Sequence, residues 1–159
     1  MMRLRFGFGK VFSDRNYTGF DMNTLNVSLI IQSKLIGLSD LVARLGPGDV
    51  RLTRDKGLKL RLSATRVGTI DFVTWGVESD LAETAPLNRQ MKAIVAKAGK
   101  KAKVAKEFYQ NDVQIALRIA VFFDAGKYAN AGCDIDLNGI RALIECVDSI
   151  EVSLYPCSD

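Results

Sequence analysis

Alternation of apolar and polar residues predicts five β-strands along this chain. Shorter stretches with a period of two span residues 58–62, 70–77 and 150–154. Two longer stretches place only apolar residues on one face, namely Leu25, Val27, Leu29 and Ile31, and then Val113, Ile115, Leu117, Ile119, Val121 and Phe123. Each strand can therefore cover a core on at least one side.

Three other stretches repeat apolar residues at intervals of three and four, which predicts helices. The first spans residues 39–45, with Ser39 as its N-cap and Gly46-Pro47-Gly48 as its stop. The second starts near residues 84–86, where a proline is favoured in the first turn, and runs to Tyr109, with Gly99 as a point that could divide it. The third spans residues 136–147 and starts with an aspartate cap.

The order of these elements predicts an α+β fold. We expect an antiparallel or mixed sheet with helices packed on one face, in a ferredoxin-like duplicated βαβ arrangement. Residues 1–24 form an N-terminal extension in this interpretation, with an edge strand built on Leu4, Phe6 and Phe8, and residues 25–159 form a single α+β domain. The length of 159 residues matches one ordinary domain.

Composition limits the kinds of catalytic and metal site that the chain can form. The chain has no histidine, the commonest general base and metal ligand, which disfavours most hydrolase and metalloenzyme mechanisms. Cys133, Cys146 and Cys157 lack the spacing of a zinc motif and predict reduced thiols. No apolar run approaches the ~20 residues of a membrane helix, and no signal peptide is recognisable. We therefore expect a cytoplasmic protein without a membrane span, a cofactor or a catalytic residue that can be named.

Several short motifs carry a resemblance to a known family. They are Ser28-Leu29-Ile30-Ile31, Ala43-Arg44-Leu45-Gly46, Asp55-Lys56-Gly57, Thr74-Trp75-Gly76-Val77-Glu78-Ser79 and Ile150-Glu151-Val152-Ser153-Leu154-Tyr155. Over about residues 25–156 the chain resembles an uncharacterised bacterial family, domain of unknown function four-two-seven-nine. The resemblance implies a fold and a bacterial source, but no established reaction.

One stretch, from Asp134 to Glu145, fits the template of a calcium-binding EF-hand loop. Oxygen ligands stand at its positions 1, 3 and 5, glycine at 6 and glutamate at 12. However, no helical pattern precedes it, and Arg141 occupies a position that is usually apolar. Asp136 as a helix cap explains the same residues without a metal. We predict the capped helix and no metal ligand, with calcium binding as the alternative.

Lysines dominate the polar side of the second predicted helix, in a chain of net charge +4 and pI about 9.0. Such a face attracts acidic proteins, nucleic-acid backbones or anionic membranes, although a solvated face without a partner explains the same pattern. The predicted partner-binding residues are Lys92, Lys97, Lys100, Lys101, Lys103 and Lys106.

The sequence favours a non-catalytic bacterial interaction protein that binds a partner protein, of immunity or antitoxin type. A sequence-independent nucleic-acid binder that uses the six lysines is the alternative. A second alternative is an enzyme that works through lysine and the carboxylates Asp71, Glu78, Asp80 and Glu83. A strand at Leu4–Phe8 could also pair with its copy in a homodimer.

Overall fold

The described part of the chain contains seven strands, two helices and two single helical turns. The computed structural model describes residues 3–8, 24–61, 67–124 and 141–157. The strands are β1 (Arg3–Phe8), β2 (Thr24–Ser33), β3 (Lys59–Arg61), β4 (Val67–Thr69), β5 (Val73–Glu78), β6 (Gln114–Asp124) and β7 (Ser149–Cys157). The helices are α1 (Leu38–Leu45), α2 (Leu87–Tyr109) and the one-turn α3 (Arg141–Ile144), and a 3₁₀ turn spans Gln110–Asp112.

One mixed sheet organises the fold, with the spatial order β1-β7-β6-β2-β5. β2 is antiparallel to both of its neighbours, so that Ile31 lies between Trp75 and Ile115. β7 is parallel to β6 and to β1. β3 and β4 form a separate hairpin. The predicted α+β class and mixed sheet are confirmed.

The ferredoxin-like duplication is not confirmed, because the strands are connected differently. β2 and β5 are joined through α1 but are antiparallel neighbours, so this half is not a parallel crossover unit. β5 and β6 are parallel to each other, because both run antiparallel to β2, which lies between them. α2 forms the crossover that connects β5 to β6. β6 and β7 are instead direct parallel neighbours. The two halves of the chain therefore do not repeat one arrangement.

The hydrophobic core lies between one face of the sheet and the helices. Every second residue of the central strands points into it, and Leu29, Trp75 and Leu117 are fully buried there. α1 contributes Leu41 and Leu45. The apolar stripe of α2, each member at most 9% exposed, consists of Leu87, Met91, Ile94, Ala98, Ala102, Ala105 and Tyr109. The three alanines let α2 approach the sheet closely along its middle.

Helix ends differ from prediction at the start of α1 and at the end of α3, which stops at Ile144 rather than at residue 147. α1 begins at Leu38 with Gly37 as its N-cap, so the expected role of Ser39 as the cap is wrong. Ser33 instead orders the preceding turn, because its hydroxyl accepts the backbone N–H groups of Leu35 and Ile36 at 3.1 and 2.9 Å. The third predicted helix is described over Arg141–Ile144, and its expected aspartate cap lies outside the described residues.

The outer edge of β5 is closed by the loop that follows α1. Arg54 exchanges two backbone hydrogen bonds with Thr74, at 2.7 and 2.8 Å. Asp49 donates its N–H to the carbonyl of Gly76 at 2.7 Å and accepts the N–H of Glu78 on its carboxylate at 2.6 Å. This edge therefore offers no template for strand addition. β1 forms the opposite edge, and the homodimer through Leu4–Phe8 stays a prediction.

Candidate functional site

The exposed side of α2 is the surface on which the sequence placed the partner-binding lysines. Because the buried stripe fixes the rotation of the helix, the exposed residues follow one continuous strip about 30 Å long at 1.5 Å per residue. We name it the α2 outer face, and it comprises Asn88, Arg89, Lys92, Ala96, Lys100, Lys103, Val104, Glu107 and Phe108.

Lys97 does not belong to this strip, because it fastens α2 to the end of β5. Its ammonium donates to the carbonyl of Glu78 at 2.9 Å and to the Asp80 carboxylate at 2.6 Å, and lies 3.6 Å from Asp49. Burial acts to lower the pKa of Lys97, but the hydrogen bond to Asp80 and the charges of Asp49 and Asp80 outweigh it and raise the pKa above 10.5. Lys97 is thus a structural cation whose charge is balanced by Asp80 and Asp49.

Lys106 has a similar role near the C-terminal end of the helix. Its ammonium forms an ion pair of 2.5 Å with Asp148, whose second carboxylate oxygen accepts the N–H of Ile115 at 2.9 Å. The backbone N–H of Asp148 donates to the carbonyl of Ile115 at 2.7 Å. Asp148 therefore links α2, β6 and the start of β7, and Lys106 neutralises it.

Lys101 lies between the two helices. Its ammonium is 5.2 Å from the centroid of the Trp75 ring, within the range of a cation–π contact. The indole N–H of Trp75 donates to the carbonyl of Gly46 at 2.9 Å. Trp75 itself is fully buried in the core.

Lys92, Lys100 and Lys103 are the three predicted lysines on the α2 outer face. Lys92 and Lys100 are exposed and form no ion pair within the described part of the chain. Lys103 faces Glu107 at 3.8 Å, one helical turn away, where solvent screens the pair strongly. The structure thus separates the six lysines into two that hold the fold together, one over Trp75 and three that face solvent.

The C-terminal part of the α2 outer face is apolar and aromatic. Val104 is 40% exposed and Phe108 is 57% exposed. The guanidinium of Arg44, on α1, stacks on the ring of Phe108 with 3.2 Å from its carbon to the ring centroid. Tyr109 packs edge-to-face against Phe108, with ring centroids 5.0 Å apart. An exposed aromatic ring stacked with arginine is therefore placed at the end of a basic strip.

The carboxylates, metal-ligating groups and thiol of the described residues give little support to a catalytic site. Of the four carboxylates predicted for an enzyme, Asp80 pairs with Lys97, whereas Glu78 contacts Lys97 only through its backbone carbonyl. No group of three metal-ligating side chains occurs in residues 3–8, 24–61, 67–124 and 141–157, and Asp134–Asp136 lie outside them. Burial raises the pKa of the Cys146 thiol, which disfavours its reactive thiolate form. None of the helices described is long and apolar enough to cross a membrane.

Sequence reasoning missed Arg44, Phe108 and the closeness of α1 to the end of α2. The signal for Phe108 was present, because an aromatic residue stands on the polar side of the α2 helical wheel beside the buried Tyr109. No local pattern indicated Arg44 as its partner, since 64 residues separate the two in the chain.

Comparison with known proteins adds no further assignment. No family model, curated protein or solved structure matches this chain. The resemblance to the uncharacterised bacterial family therefore stays a prediction. Any proposal of function rests on the geometry of the α2 outer face.

Proposed function

We propose that this chain is a non-catalytic interaction protein that binds an acidic surface of a partner protein through the α2 outer face and the adjoining part of α1. The observation that carries the proposal is the composition of this strip: the solvent-facing Lys92, Lys100 and Lys103 are followed by the exposed Val104 and Phe108 near its C-terminal end. An immunity- or antitoxin-type protein works by occupying a partner stoichiometrically, and this is the specific form of the proposal.

Energetics favour a protein partner for a strip of this kind. Burial of an aromatic side chain as exposed as Phe108 contributes on the order of 1–2 kcal/mol to binding. Aromatic residues and arginine are the residue types that dominate protein interfaces, whereas lysines at the rim mainly accelerate and orient association. The stacked Arg44–Phe108 pair thus supplies the anchor and Lys92 and Lys100 supply the steering charge.

The charge distribution also supports this proposal over nucleic-acid binding. A sequence-independent nucleic-acid surface neutralises several phosphates, each with its own cation. Lys97 and Lys106 already neutralise carboxylates of the chain itself. The α2 outer face keeps Arg89, Lys92, Lys100 and Lys103 as cations, but its C-terminal end exposes Val104, Glu107 and Phe108, which neutralise no phosphate.

The test is affinity purification from a lysate of the native cell with two charge-reversal variants. The double variant Lys92→Glu/Lys100→Glu changes the α2 outer face, and the control Arg51→Glu/Lys59→Glu makes the same change of net charge at exposed positions elsewhere. We expect one stoichiometric acidic protein, resistant to nuclease, with the wild type and the control and its loss with the α2 variant.

Two outcomes contradict the proposal. Recovery of nucleic acid instead of protein, with affinity that falls log-linearly with salt, supports the nucleic-acid alternative. Equal loss of the partner from both double variants shows that only the net charge matters, and that the α2 outer face has no particular role.

A further inference from the structure

A cleft of about 590 Å³ opens beside the Arg44–Phe108 pair, between the outer side of α1 and the end of α2. This volume lies within the range of small-ligand sites. It is lined by Ile36, Asp40, Ala43, Arg44, Phe108 and Tyr109.

The walls of the cleft are held in place by contacts within the chain. Tyr109 is 9% exposed, and its hydroxyl donates to the backbone carbonyl of Asp40 at 3.2 Å, which ties the end of α2 to α1. Phe108 rests edge-to-face on Tyr109 and carries the guanidinium of Arg44 on its ring. These contacts restrict Tyr109, Phe108 and Arg44 before a ligand binds, which reduces the entropic cost of binding.

Arg44 gives the cleft its chemical preference. The ring of Phe108 occupies one face of the guanidinium, and the N–H donors, which lie in its plane, have no acceptor within the described residues. A planar fork of such donors matches a carboxylate, which it can bind through two parallel hydrogen bonds. Asp40 lines the same cleft, and its negative charge repels a dianion such as phosphate about twice as strongly as it repels a carboxylate.

We infer that this cleft is a binding site for a carboxylate adjoining a bulky apolar group, and that in the cell an acidic segment of the partner protein fills it. The carboxylate pairs with Arg44, and the apolar group packs against Ile36, Ala43 and Phe108. This inference rests on the proposed function and names the anchor point of that partner.

The test needs no partner, because phenylpropionate imitates both groups. The purified protein is titrated with phenylpropionate, with the uncharged phenylpropanol and with phenyl phosphate, and the NMR signals of the Ala43 amide and the Arg44 side-chain N–H are followed. We expect saturable shifts with phenylpropionate and about tenfold weaker binding of phenylpropanol, because the alcohol lacks the charge-assisted pair.

Variants tie this binding to the cleft. Arg44→Gln should weaken phenylpropionate binding about tenfold, Arg44→Lys should restore part of it, and Arg51→Gln should leave it unchanged. Ala43→Leu, which fills the cleft while keeping every charge, should also weaken it.

Three results would overturn the inference: no saturable shift at millimolar phenylpropionate, equal affinity for the alcohol, or tighter binding of phenyl phosphate. The proposed function fails separately. If Lys92→Glu/Lys100→Glu still abolishes partner capture while the cleft binds no carboxylate, the surface is correct and its anchor point is not.

Discussion

Substitution of Lys97 by alanine should destabilise the protein by about 2 kcal/mol, whereas the same change at Lys92 should alter stability by less than about 0.5 kcal/mol. Both lysines lie on α2 and were predicted to belong to one binding face. The structure gives them different roles, because Lys97 is engaged with β5 and the loop beside it while Lys92 is exposed.

The magnitude follows from the three contacts of the Lys97 ammonium. The hydrogen bond of 2.9 Å to the Glu78 carbonyl has a charged donor and contributes about 1.5 kcal/mol. Asp80 is 77% exposed, so its ion pair of 2.6 Å contributes about 0.5 kcal/mol after screening. Asp49, at 3.6 Å, adds less. A total of about 2 kcal/mol corresponds to a lowering of Tm by about 6 °C in a chain of this length.

Urea denaturation followed by Trp75 fluorescence measures these differences directly, because Trp75 is the sole tryptophan and is fully buried. The denaturation midpoint should fall for Lys97→Ala with no change of slope, and should stay in place for Lys92→Ala. The reasoning is refuted if the two variants are equally stable, since Lys97 would then be one more solvated lysine.

Three further predictions concern backbone fit and pH. Gly48→Ala should cost about 3 kcal/mol in urea denaturation, because the new Cβ would clash with Thr53 Oγ1 and lie 2.8 Å from the backbone oxygen of Gly76. Gly57→Ala should cost about 1 kcal/mol, because φ is +87° there and nothing lies within 4 Å. Equal costs would contradict the packing described at Gly48. Gln110→Gly should stabilise the protein by about 1 kcal/mol, because Gln110 holds φ at 48°, and a loss of stability would show that this backbone is not strained. The pKa of Lys97 is raised on folding, so its contribution to stability is fully present below pH 10.5 and is lost as the pH rises through the higher pKa of the folded state. The difference in stability between wild type and Lys97→Ala should therefore shrink over that pH range. A constant difference would contradict the ion-pair assignment.

Strands and helices with strong periodicity could be predicted to within a few residues. The alternation of residues 113–123 predicted β6 at Gln114–Asp124, and the apolar stripe of the second helix predicted α2 at Leu87–Tyr109. In both cases one face is buried along the element, so apolar residues recur in the sequence with the period of the strand or helix. The start of α1 was misplaced because Gly37, rather than Ser39, is its N-cap, and the hydroxyl of Ser33 orders the turn before it.

Strand order could not be predicted, because it depends on pairings that no local pattern encodes. β1 joins β7 from the other end of the chain, and the buried faces of β6 and β7 are compatible with either direction of pairing. The ferredoxin-like arrangement was inferred from the order of elements alone. That order does not decide which strands become neighbours.

The sequence predicted the positive charge of the candidate site, but it did not predict which of its lysines form ion pairs within the chain. A helical wheel places Lys97 and Lys106 on the polar side of α2, but it cannot show that Asp49, Asp80 and Asp148 approach from other segments. These carboxylates turn two predicted binding residues into structural ones.

Chemical footprinting of lysines tests the central claim most directly. The free protein and its purified partner complex are treated briefly with an acetylating reagent, and modification at each lysine is quantified by mass spectrometry. In the free protein, Lys92 and Lys100 should react faster than Lys97 and Lys106, whose ammonium groups are held by carboxylates. In the complex, Lys92 and Lys100 should become protected while the exposed Lys59 on β3 keeps its reactivity. Unchanged reactivity of Lys92 and Lys100 in the complex would contradict the account, because the partner would then bind elsewhere.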